Sequence, residues 1–214
     1  MFLERLKKNY GVNEPIFTEE VLGLFPEYSR VQVFRFLKEA TTSNELIQFC
    51  RGVYFIPKMT CLGILSTISP DDVIRKKYMS DGDRIYGVFA GLELLNAFSI
   101  TTQVPAIIEI VTNNATLRYR EIVIRGRTFI LRKSRCEINK DNFAAYIVLQ
   151  LFSDFLRGDK IDESSFPVLQ NFIQREKITV EQLFALAKVF PARAAKNLLR
   201  SGIIDGFAQE QRLF

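Results

Sequence analysis

The chain has 214 residues, 48% of them apolar and 19 of them Phe, with a net charge of +5, so it can bury a core as one large domain or two small ones. It contains no histidine, which excludes a Ser-His-Asp triad, a Cys-His pair, an H-E-x-x-H zinc site and any histidine general base. No run of 18 apolar residues occurs and the first ten residues lack a signal peptide's apolar centre, so a cytoplasmic protein without a membrane segment is expected.

In chain order, residues 1–10 read as a helix with Phe2, Leu3 and Leu6 on one side, and Gly11 ends it as a C′ residue. Thr18 caps a second helix with Glu19 and Glu20 in its first turn and Val21, Leu22 and Phe25 on its apolar face; Pro26 stops it. Ser29 caps a third helix, and Gln32 completes an S-x-x-Q capping box. Residues 46–50 and 53–56 alternate as two strands around Arg51-Gly52. Three short helices before a hairpin is the order of a winged helix-turn-helix, assigned to residues 1–60.

Beyond residue 60, Ser69-Pro70-Asp71-Asp72 starts a helix, with Ser at the N-cap and Pro at N1. Asp81-Gly82-Asp83 is a turn. Residues 87–98 place Val88, Phe89, Leu92 and Leu95 at helical spacing. Three extended runs follow at 106–112, 117–125 and 128–133, the last two joined at Gly126-Arg127. Asp141 caps a helix to about Leu156. Residues 165–174, 179–189 and 192–200 are helical, with a second capping box at Thr179 and Gln182. The fold class is α+β: an N-terminal winged helix, then an α+β domain over 61–214 with a small antiparallel sheet and a helical tail from about residue 160.

Chemistry-bearing residues fall into three groups. On the third helix, Val33, Phe36, Leu37 and Ala40 share one side and Val31, Gln32, Arg35, Lys38 and Thr42 the other. The outer set suits a major groove: Arg for guanine, Gln for adenine, Val for a thymine methyl. Lys38, Tyr28, Ser29 and Lys58 suit phosphates, and Arg51 at the hairpin tip suits a minor groove. The same residues also describe an ordinary solvated face, and Gln32 has its capping role. The second group is the 118–135 hairpin, where Arg118, Arg120, Arg125, Arg127, Arg132, Lys133 and Arg135 face a single acid, Glu121. This is a candidate surface for nucleic acid or an acidic protein. The third is Glu109, an acid inside AIIEIVT. It reads as an outward residue of an antiparallel sheet, with a metal-dependent nuclease as the competing reading. Cys50, Cys61 and Cys136 have no ligand spacing and read as small apolar residues. No catalytic residue, cofactor or metal is expected.

Charge is spread evenly: 8 basic and 7 acidic residues in 1–60, 14 and 11 in 61–160, 7 and 6 in 161–214. A polyanion partner is compatible with this balance but not demanded by it.

GVYFIPK at 52–58, AGLELLNAF at 90–98 and ITTQVPAIIEIVTNN at 100–114 together resemble the AbiEi family of antitoxins, over roughly residues 5–155. The T-T-Q-V-P segment is the most specific part. The resemblance implies a non-enzymatic repressor that binds double-stranded operator DNA at inverted repeats and controls its own bicistronic operon. It also implies a second domain that counteracts a nucleotidyltransferase toxin encoded alongside, often without a stable complex. A plain winged-helix regulator with a ligand-binding or dimerisation domain is the alternative. The weakly basic first domain departs from the pattern, which shifts expected DNA affinity toward the 118–135 hairpin.

Overall fold

The computed structural model describes residues 2–155 and 160–204; Met1 and Leu156, outer ends of two expected helices, lie outside them. The chain is mixed α and β. It divides into two compact units, Met1–Lys76 and Lys77–Phe214, so the expected boundary near residue 60 falls inside the first unit. The chain after Pro57 folds back on that unit. Ser66 N–H donates to Lys58 O and Lys58 N–H to Ser66 Oγ, both at 2.8 Å. Lys76, only 9% exposed, reaches Glu14 Oε1 and Pro15 O at 2.8 Å and Glu20 at 3.4 Å.

The first unit contains α1 (Phe2–Asn9), β1 (Ile16–Phe17), α2 (Thr18–Leu24), α3 (Arg30–Thr42), β2 (Ile47–Cys50) and β3 (Val53–Phe55), and most of α4 (Pro70–Tyr78). Its strands form an antiparallel sheet in the order β1-β3-β2. β1 is absent from the sequence reading because two residues carry no period-2 signal; only pairing with Tyr54 and Val53 makes them a strand. β1 also displaces the cap expected at Thr18. Thr18 is already helical, and its N–H and Oγ1 both donate to Gly52 O, at 3.0 and 3.2 Å. Glu20 instead accepts the Phe17 N–H at 2.8 Å, satisfying a donor the helix leaves open. Gly11 is not a left-handed cap either; Glu14 Oε2 holds its N–H at 2.7 Å. Leu6, Ile16, Val21, Phe25, Val33, Leu37, Ala40, Leu46, Tyr54 and Ile56 form the core.

The second unit contains β4 (Ser80–Asp81), β5 (Arg84–Ile85), β6 (Gly87–Ala90), α5 (Gly91–Ala97), β7 (Ile107–Thr112), β8 (Tyr119–Ile124), β9 (Arg127–Lys133), α6 (Phe143–Asp154), α7 (Ser165–Arg175), α8 (Val180–Ala187) and α9 (Ala192–Arg200). The expected helix over 87–98 is therefore two elements, with Val88 and Phe89 on a strand paired to β7. The four-stranded sheet has the order β6-β7-β9-β8, and β7 runs parallel to β9. The expected small antiparallel sheet holds for the β6–β7 and β8–β9 pairs and fails for β7–β9. Phe129, Ile130 and Leu131 of β9 are buried whereas Tyr119 and Val123 of β8 are exposed, so the more apolar strand takes the central place beside β7. The β8–β9 turn is Arg125-Gly126, both at positive φ (46° and 81°), and Arg127 pairs with Ile124. The expected turn shifts by one residue because a two-residue hairpin favours left-handed central positions.

From Ala144 to Ser153 α6 is buried except at Ile147, which is half-buried, and a helix apolar nearly all round needs cover nearly all round. It shares one core with Val88 and Val111 of the sheet and with Leu169, Leu183 and Leu198 of α7, α8 and α9. Asp141 is not its cap. Asn142 holds that position, and Asn139 Oδ1 accepts the N–H groups of Asp141 and Asn142 at 3.0 and 3.1 Å. No helix among the described residues is long and apolar enough to cross a membrane.

Candidate nucleic-acid interface and basic cleft

α3 begins at a closed capping box: Ser29 N–H donates to Gln32 Oε1 at 2.8 Å, and Gln32 N–H to Ser29 Oγ at 3.3 Å. Its inner side buries Val33, Leu37 and Ala40. Phe36 is only half-buried, in a ring cluster with Phe2 and Tyr28 at centroid distances of 5.1 and 5.2 Å. The helix must present its other side outward.

That outer side brings together Val31 (79% exposed), Arg35, Lys38 and Thr42. Phe34, 43% exposed, lies among them. The sequence reading missed it because an aromatic residue on an amphipathic helix is ordinarily core; its place three residues after Val31 and four before Lys38, on the same stripe of the helix, was the available signal. Arg35 is paired loosely with Glu39 at 3.7 Å. Thr42 Oγ1 donates back to Lys38 O at 2.9 Å. The remaining candidates are partly engaged. Gln32 Oε1 is held by the cap, so two-point adenine pairing would cost the cap its acceptor. The Tyr28 ring packs on Phe25 and Phe36. Arg51 is exposed at the hairpin turn, beside the Gly52 carbonyl that Thr18 anchors, and Lys58 is exposed where the chain leaves β3.

The seven cations of the second hairpin do not share a face. Register places Arg132 opposite Tyr119 and Val111, while Arg120 pairs with Leu131 and Arg127 with Ile124 on the other face, to which alternation along β9 also assigns Lys133. Arg125 and Arg127 sit at the turn. Arg118, Arg132 and Arg135 instead come together at the far end, around a cleft of about 360 Å³ also lined by Val111, Tyr119, Lys133 and Gln150. The turn lies roughly 17 Å away, at about 3.4 Å per residue along β8.

Glu109 does not face open solvent as expected. It forms an ion pair with Arg132, and its carboxylate lies over Gly91, where an added Cβ would come within 2.9 Å of Glu109 Cδ. The Gly91 N–H donates to Asp154 Oδ2 at 2.7 Å, and Gln150 Nε2 donates to both Asp154 oxygens at 2.9 Å. Beside the cleft, Arg135 N–H donates to the Tyr146 hydroxyl at 3.0 Å and its guanidinium stacks 5.3 Å from the Phe190 ring centre. Burial pushes the Tyr146 hydroxyl up to about 12, against the lowering effect of the Arg135 hydrogen bond.

One family model, described as a family of unknown function (DUF6088), matches residues 16–181. No curated protein matches the chain.

Proposed function

For this chain, which belongs to the DUF6088 family of unknown function, we propose a non-enzymatic, cytoplasmic DNA-binding regulator whose first unit is a winged helix. The observation that carries this reading is the outer face of α3, which offers Val31, Phe34, Arg35 and Lys38 to a partner while Val33, Leu37 and Ala40 hold the helix to its core. A helix so held can enter a major groove without loss of its own packing. The element order helix, strand, helix, helix, strand, strand and the sheet order β1-β3-β2 support it. The resemblance to AbiEi antitoxins extends it: a repressor of its own operon, acting at inverted repeats, whose second unit opposes a nucleotidyltransferase toxin encoded alongside.

Two experiments test the two halves. In a mobility-shift titration, the full chain binds the DNA upstream of its own gene and withstands an excess of random competitor. Equal affinity for both DNAs rejects the regulator. Co-expression with the adjacent gene restores growth if the antitoxin half is right; a harmless neighbour, or toxicity that persists, rejects that half alone.

A further inference from the structure

We infer that the basic cleft of the second unit is a binding site for a free nucleotide, holding the phosphates on Arg118, Arg132 and Arg135 and the base on Tyr119. Among the described residues that line it, Arg118, Arg132 and Arg135 supply positive charge and no carboxylate is present, so the site favours an anionic ligand. Its volume of about 360 Å³ lies in the range of small-molecule sites.

The cations are held in place before any ligand arrives. Arg132 is steadied by Glu109, and the Glu109 carboxylate is packed over Gly91. Arg135 is fixed through its N–H to Tyr146 and its guanidinium against Phe190. The Lys133 N–H donates to Arg118 O at 3.4 Å and draws those two strand ends together. Gln150, 2% exposed, lines the cleft and is tied to Asp154, which in turn accepts from Gly91. Bound positions prepared in this way lower the ordering cost of binding. Arginine pairs with phosphate oxygens two at a time, which a lone lysine cannot do.

Tyr119 supplies what a plain anion site would not need. It is 54% exposed, lines the cleft, and stands in the strand position opposite Arg132. An aromatic ring beside a phosphate subsite is a platform on which a base can stack. A compact nucleotide fits better than a nucleic-acid chain because the cations converge instead of forming a track. Arg120 lies on the opposite face of the sheet, and Arg125 and Arg127 stand at the distant turn. This site does not depend on the first unit binding DNA.

The test is calorimetric titration of the full chain with ATP, inorganic triphosphate and a single-stranded DNA oligomer. ATP binds with one-to-one stoichiometry and more tightly than inorganic triphosphate. Arg118→Ala combined with Arg135→Ala weakens ATP at least tenfold. Tyr119→Ala weakens ATP several-fold and leaves triphosphate unchanged. Arg125→Ala with Arg127→Ala, at the turn, changes neither. If the double variant at the cleft does not fold by circular dichroism, Arg118→Gln alone carries the test, since that side chain is exposed at a strand end. Absence of ATP binding, equal binding of ATP and triphosphate, binding indifferent to the cleft variants, or preference for the oligomer each overturns the proposal.

Discussion

Arg35 lies 3.7 Å from Glu39 on one helix face, and both side chains are more than half exposed. Such a pair contributes only about 0.3–0.5 kcal/mol, so Arg35 can leave it for a base edge at small cost. Arg35→Ala is expected to weaken binding to the upstream DNA by about 1–3 kcal/mol and to relax the base preference at one position. Mobility shifts on base-substituted sites check this, and unchanged affinity removes Arg35 from the reading set. Tyr146 is the contrasting case, a polar atom committed inward. Its hydroxyl accepts the Arg135 N–H, and burial raises it to about 12, above roughly 10 in the unfolded chain. The fold therefore favours the neutral form. Its contribution is complete below about pH 10 and is lost as pH climbs toward 12. Tyr146→Phe is expected to cost about 1–2 kcal/mol, because it leaves a backbone donor unpaired, and to flatten that alkaline loss. Denaturant midpoints measured over this range decide it; an equally steep loss in the variant clears Tyr146. The outward role of Arg35 was legible from helical spacing. That of Tyr146 was not, because its partner lies eleven residues upstream, outside its helix.

Elements whose signal is local were readable. The capping pairs Ser29 with Gln32, Thr179 with Gln182 and Ser69 with Asp72 all close as the sequence indicates, since each partner lies three residues away. Elements defined by a distant partner were not. β1 and β6 exist because Tyr54, Val53 and the β7 residues pair with them. Val88 and Phe89, taken alone, satisfy helical spacing as well as they satisfy a strand. Gly87 is the residue that decides β6. A Cβ there would meet the Tyr78 carbonyl oxygen at 2.0 Å and the Thr112 Cβ at 3.1 Å. Backbone cannot yield as a side-chain tip does, so Gly87→Ala is expected to destabilise the protein by at least about 3 kcal/mol. Urea unfolding measures it. A loss below about 1 kcal/mol would mean that β6 moves away from Tyr78 freely.

At the scale of the molecule, the chain carries cationic groups in each unit with different geometry. Lys38 and Lys58 are exposed in the first unit and suited to phosphates. Lys38→Ala and Lys58→Ala are each expected to lower the slope of log affinity against log salt by about one and to weaken all DNA sequences alike. A full salt titration with an unchanged slope excludes that lysine from the phosphate contacts. In the second unit the sequence counted seven cations on one hairpin but could not sort them. Strand register and the approach of α6 did so, bringing Arg118, Arg132 and Arg135 to a cleft and sending the others to the opposite face or the turn. Sequence by itself determined the α+β class, the amphipathic third helix and most helix starts, because these follow from periodicity and contacts within one turn of chain. Tertiary structure alone decided the boundary at Lys76, the parallel β7–β9 pair, the pairing of Glu109 with Arg132 and the convergence of the cleft. Each of those depends on which distant segments share a sheet or a core, and residue spacing along the chain does not encode that.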